Sequence, residues 1–115
     1  MGGEPTIFHI TTKDAWRSAV SIGTYRGTPQ DQSDGFIHFS TASALPETAQ
    51  RYFAGRNDLI VLEVCLGTIG DDVRWEALPG RPAFPHLYAD LDPRSVEAVH
   101  PLPLADDGSH VMDFL

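Results

Sequence analysis

The sequence predicts an α+β domain. Two helical patterns fall in the first half of the chain and strand patterns dominate the second. The connections between strands are too short and too poor in helix for a parallel, doubly wound sheet. The 115 residues, 42% hydrophobic and 21% charged, suit a single domain over 1–115, with 1–5 and 105–115 as peripheral tails.

Thr6–Thr11 is rich in β-branched and aromatic residues and reads as the first strand. Thr12 is a good N-cap for a helix over Lys13–Ile22, in which Ala15, Trp16, Ala19 and Val20 form a buried stripe and Gly23 is the stop. Thr24–Asp34 is polar and reads as a mobile loop with Tyr25 as its aromatic. Gly35–Ser40 is the second strand. The next helix has Ser43 as candidate N-cap, Pro46 in its first turn, Ala49, Tyr52 and Phe53 on its apolar face, and Gly55 at its end. Asp58–Leu66 is a nearly continuous apolar run broken by Glu63, as expected of a central strand. A turn over Gly67–Asp72, a short strand over Val73–Ala77 and a proline-rich loop over Leu78–Pro85 follow. His86–Ala89 reads as a brief strand or bend and Ser95–Leu102 as the last strand.

The net charge of −8 argues against a partner such as DNA or bulk RNA. It leaves room for a small phosphorylated ligand held by one arginine and backbone amides. Cys65 is the single cysteine, so no disulfide can form within the chain, which favours a reducing compartment. No stretch is long and apolar enough to span a bilayer, and the first residues lack a basic-then-apolar secretory pattern. The expectation is a cytoplasmic protein with no membrane partner. A phosphate-cradling glycine loop, a C-x-x-C pair and a G-x-S-x-G elbow are all missing.

Chemistry concentrates on the histidines. His9 lies in I-F-H-I-T-T, His38 in G-F-I-H-F-S-T and His86 in F-P-H-L-Y. Strand alternation puts His9 with Thr11, and His38 with Ser40, on one face, while Phe8, Ile10, Ile37 and Phe39 point the other way. A polar face backed by an apolar one can hold a cleft over a core. Imidazole donates or accepts near neutrality and can hold a ribose hydroxyl or act as a base. Ser40 and Thr41 precede a helix, whose free amides can receive a phosphate; capping is their structural role. Arg74 could clamp a phosphate and Glu76 polarise a hydroxyl, or the two form a solvated ion pair. Tyr25 could stack on a planar ring or cover the core. Tyr88 sits beside His86. Three imidazoles could hold a catalytic zinc, although their spacing lends this no support.

Taken together, I-F-H-I-T, the helix with Trp16 and Ala19, G-F-I-H-F-S-T, E-T-A-x-R-Y-F-A-G at Glu47–Gly55, D-L-I-V-L, V-R-W-E and F-P-H-L-Y resemble the bacterial domain-of-unknown-function family 952. The likeness runs from about Thr6 to Val99. That family is in turn similar to the ADP-ribosyltransferase superfamily. The resemblance implies a split, bent β-structure with an NAD-binding cleft between its halves. By resemblance, His9 with Thr11 would hold a ribose of NAD, and His38 would take the second-motif position within Gly35–Phe53. Glu76 or His86 would take the place of the third-motif glutamate. The functional expectation is an NAD- or ADP-ribosyl-binding, transferase-like enzyme. The alternatives are a non-catalytic binding module and a zinc hydrolase.

Overall fold

A strand whose two faces are both covered is apolar throughout, and here that strand organises the molecule. The computed structural model describes residues 5–115. The expected tail over 1–5 therefore lies, apart from Pro5, outside the described residues. The first sheet holds β1 (Thr6–Thr12), β3 (Leu59–Cys65) and β6 (Val96–Pro101), all antiparallel, with β3 in the middle. Ile60, Leu62 and Val64 face one apolar cluster, while Leu59 and Val61 face the other. Glu63 sits at a register irregularity of the β3–β6 pairing, half-exposed, and meets His100 Nε2 at 2.7 Å.

The second sheet holds β2 (Ile37–His38), β5 (Phe84–Leu87) and β4 (Val73–Glu76), again antiparallel, with β5 in the middle. Phe8 and Ser40 exchange both backbone hydrogen bonds, at 2.8 and 2.7 Å, and so tie the chain beyond β2 to β1. The predicted loop over Leu78–Pro85 gives up Phe84 and Pro85 to β5. Proline is tolerated there because Pro85 faces the end of β2, where its carbonyl accepts from the Phe39 N–H at 3.0 Å and no donor is required.

Four α-helices are found among the described residues. The first, α1 (Lys13–Ile22), starts at Thr12, whose hydroxyl accepts from the Ala15 N–H at 3.0 Å, and stops at Gly23. Ala19 is buried and Trp16 packs on the core, but Val20, expected in the stripe, is 54% exposed. It lies one residue, or 100°, beyond Ala19, past the edge of the buried arc. The expected loop over Thr24–Asp34 contains a helix, α2 (Pro29–Asp34), capped by a reciprocal Thr28–Asp31 pair. The signature Thr-Pro-x-Asp was present in the sequence. In α3 (Leu45–Phe53) the N-cap is Ala44 rather than Ser43, and Tyr52 is exposed while Leu45 and Ala49 are buried. The turn after β3 is α4 (Leu66–Ile69) followed by a 3-10 turn over Gly70–Asp72.

The segment 105–115 is not peripheral. Met112 and Phe114 pack on the second cluster, and Phe114 stacks on His100 with centroids 4.2 Å apart. Apolar side chains are worth burying wherever a sheet face stands uncovered. None of the described helices is long and apolar enough to cross a membrane.

Candidate functional site

The strand register assembles the site. His38 pairs with His86, and His86 with Arg74, so three side chains stand in one row across β2, β5 and β4. Ile37, Leu87 and Val73, one residue along, pack on the first apolar cluster. The histidine row therefore faces outward. Glu76 and Tyr88 lie two residues from Arg74 and His86 and share their face.

Carboxylates fix both imidazoles. His38 Nδ1 lies 2.6 Å from Asp31 Oδ1, and His86 Nδ1 lies 2.7 Å from Glu76 Oε1. A carboxylate only accepts, so in each case Nδ1 carries the proton and Nε2 is the other working atom. His38 Nε2 points toward Asp34 Oδ2 at 3.3 Å. The Tyr88 hydroxyl donates to the same Glu76 oxygen at 2.7 Å. The hydrogen bonds from Tyr88 and His86 hold the Glu76 carboxyl below its ordinary range, and Glu76 in turn raises the Tyr88 phenol. Phe36 stacks on His86 with centroids 4.1 Å apart, the two imidazole centroids are 5.2 Å apart, and the Arg74 guanidinium lies over the Tyr88 ring.

Asp31 links this row to the interior. Its Oδ2 accepts from the Thr28 N–H at 2.8 Å and lies 3.6 Å from His9 Nε2. Burial raises the Asp31 carboxyl, but the hydrogen bonds from His38 and the Thr28 amide outweigh it, so the group stays below its ordinary value. Gly27 makes room for Asp31: its φ is +92°, and a Cβ there would fall 2.6 Å from the Asp31 Cβ. Asp31 and Phe36 were not among the sequence candidates. The helix signature around Thr28 was the available signal for Asp31; for Phe36 there was none beyond its place beside His38.

Four expected site residues do not face solvent. His9 is 3% exposed, with Nδ1 donating to the His38 carbonyl at 2.6 Å and Nε2 accepting from the Tyr25 hydroxyl at 2.7 Å. Desolvation lowers its pKa, so it is a neutral, fully bonded interior group. Thr11 is buried beside it, because the face of β1 expected to line a cleft is covered by the first cluster. Tyr25 is buried as well and covers the core rather than offering a stacking surface; burial pushes its phenol well above the usual value. Ser40 is buried, donating to Thr48 Oγ1 at 3.2 Å on α3. It does not share the His38 face, because β2 ends at His38 and the chain turns to β1. The Thr41 hydroxyl accepts from the Ala44 N–H at 3.3 Å and serves the turn into α3.

His9, His38 and His86 therefore do not converge. His38 and His86 adjoin, and His9 reaches them only through Asp31. No trio of imidazoles can hold a zinc when both nitrogens of His9 are engaged. Among the described residues no group of three or more His, Cys, Asp or Glu is arranged to hold a metal ion. Two surface hollows, of about 300 and 330 Å³, lie elsewhere, one beside Lys13 and Asp58 and the other beside Val20 and Arg94.

A family model described as "Protein of unknown function (DUF952)" matches residues 10–99. The chain is similar to the crystal structure of protein CC0527 from Caulobacter crescentus, with 36% identity and a TM-score of 0.87 over 92% of this chain and 93% of that one. The solution NMR structure of the same protein gives 36% identity and a TM-score of 0.82 over 90% of each chain. No curated protein matches significantly.

Proposed function

The chain belongs to the DUF952 family of proteins of unknown function, and from this premise we propose a transferase-like domain that takes an NAD- or ADP-ribosyl-type ligand on the outer face of β2–β5–β4. Kinship with the ADP-ribosyltransferase fold is part of the proposal. The observation that carries it is the pair of imidazoles, His38 and His86, each with Nδ1–H tied to a carboxylate and the two rings 5.2 Å apart. His86 presents an Nε2 that accepts from a ribose hydroxyl when neutral and donates to a phosphate when protonated, and His38 Nε2 does the same once a ligand displaces Asp34 Oδ2, 3.3 Å away. Arg74, in the same row, supplies a permanent cation for a phosphate. Glu76 is the carboxylate available to steady positive charge that develops on the ribose as its bond to nicotinamide breaks. Tyr88, 39% exposed, offers a ring beside them for a base. His9 has a supporting part here: it fixes the His38 carbonyl and the Tyr25 phenol. A cytoplasmic setting fits the free Cys65.

The test follows histidine ring resonances by NMR during titration with NAD, ADP-ribose and ADP-ribose 1″,2″-cyclic phosphate. His38 and His86 should shift while His9 stays still, and Arg74→Ala should weaken binding by about tenfold or more. Silence toward all three compounds, with the protein folded, refutes the reading.

A second reading has its own support. Two surface hollows lie away from the histidine row, and the aromatic cluster of Phe36, His86 and Tyr88 suits a non-catalytic interaction module. It predicts a protein footprint at Phe36 and Tyr88 with no nucleotide response.

A further inference from the structure

The short helix α2 is held in an unusual way. Its sequence, Pro-Gln-Asp-Gln-Ser-Asp, offers no large apolar side chain, and Asp31 is its only buried residue. A helix normally docks by an apolar stripe; this one docks by a carboxylate. Burying a charge costs desolvation, and a well-packed apolar residue would serve stability equally well. Glycines with positive φ flank the segment, Gly27 at +92° and Gly35 at +88°.

The surroundings of the carboxylate are those of a bound anion. Asp31 Oδ1 accepts from His38 Nδ1 at 2.6 Å and from the His38 backbone N–H at 3.2 Å, and both donors belong to β2 rather than to α2. Behind it runs a buried polar file of His9, Tyr25 and Thr11. The Thr11 hydroxyl, 1% exposed, lies beside the Tyr25 phenol and makes no hydrogen bond of good geometry among the described residues. An unmatched hydroxyl in the interior is uncommon and calls for a reason.

We propose that α2 is a lid hinged at Gly27 and Gly35 and latched by Asp31, whose carboxylate holds the place of an anionic ligand group. When the lid swings out, a phosphate takes the His38 donors that Asp31 gives up, and the polar file behind becomes reachable. The inference rests on the preceding reading for the location of the ligand.

Native-state hydrogen exchange on the full chain tests it, in chloride and in inorganic phosphate at matched ionic strength. The amides of Gln32, Gly35 and Phe36, bonded to Thr28 and Asp31 carbonyls, should exchange through local opening at least about a hundredfold faster than those of β3. Phosphate should speed them about threefold or more and leave β3 unchanged. Asp31→Asn should speed them further without phosphate; if that variant does not fold, the two wild-type conditions decide. Lid amides that exchange in step with β3, or that ignore phosphate, overturn the inference. A phosphate-sensitive lid with His38 and His86 silent toward ADP-ribose keeps the lid and removes the nucleotide reading. Nucleotide binding with a phosphate-insensitive lid does the reverse.

Discussion

Replacing Gly27 by alanine tests how tightly Asp31 is seated. Gly27 has φ +92°, and an added Cβ would meet the Asp31 Cβ at 2.6 Å and Oδ2 at 2.7 Å. Two costs follow. The left-handed backbone disfavours alanine by ~1 kcal/mol. Relief of the clash moves a carboxylate that accepts from His38 and Thr28, and losing such charge-assisted hydrogen bonds costs about 1.5–3 kcal/mol. The sum is ~3 kcal/mol. Gly23→Ala is the control. Its φ is +96°, yet nothing lies within 4 Å of its added Cβ, so only the backbone cost of ~1 kcal/mol applies. Urea denaturation at neutral pH measures both. Gly27→Ala should lose about 2 kcal/mol more than Gly23→Ala, and its His38 ring resonances should move. Equal losses in the two variants would show that the Asp31 seat contributes nothing, and the account of the site built on it would fail.

Stability should also depend on pH in two separate windows. The folded pKa of His9 lies below its ordinary 6.5, chiefly through desolvation, so the unfolded chain binds the proton first. The contribution of neutral His9 is complete above about pH 6.5 and is lost as pH falls toward the folded value; His9→Gln should flatten that slope in urea midpoints. The folded pKa of Asp31 lies below its ordinary 3.8, so its contribution holds above that value and disappears as pH falls through the folded one. Asp31→Asn should remove the acid-side slope, and should widen the His9 window because the nearby anion raises His9. In the core, Leu62→Ala on β3 should cost about 2–5 kcal/mol and Val20→Ala on α1 under about 0.5 kcal/mol, since Leu62 is fully buried and Val20 largely exposed. Comparable losses at the two positions would contradict the assigned helix face.

Much of the fold was legible because local rules suffice for it. Thr12 and Gly23 bound α1 as a cap and a left-handed stop should. The run around Leu62 marked the central strand, since only a strand covered on both faces can be so apolar. Local rules fail where strand pairing decides. The proline-rich stretch hid the start of β5, because Pro85 fits a strand only opposite the end of β2. The polar stretch before Gly35 hid α2, because composition outweighed the Thr28–Asp31 capping pair.

The candidate site divides in the same way. Strand alternation placed His9 with Thr11, and His38 opposite Ile37, and it is a property of single strands. Which polar face would be covered is a property of neighbours. The His9 face met the first apolar cluster and closed, while the His38 face stayed outside it. The sequence by itself determined the kinds of element and the residue types able to hold a proton or a phosphate, because propensity and period act within a few residues. Only the tertiary structure decided that His38, His86 and Arg74 stand in one row with Asp31 behind them, because that row comes from the register of strands far apart in the chain.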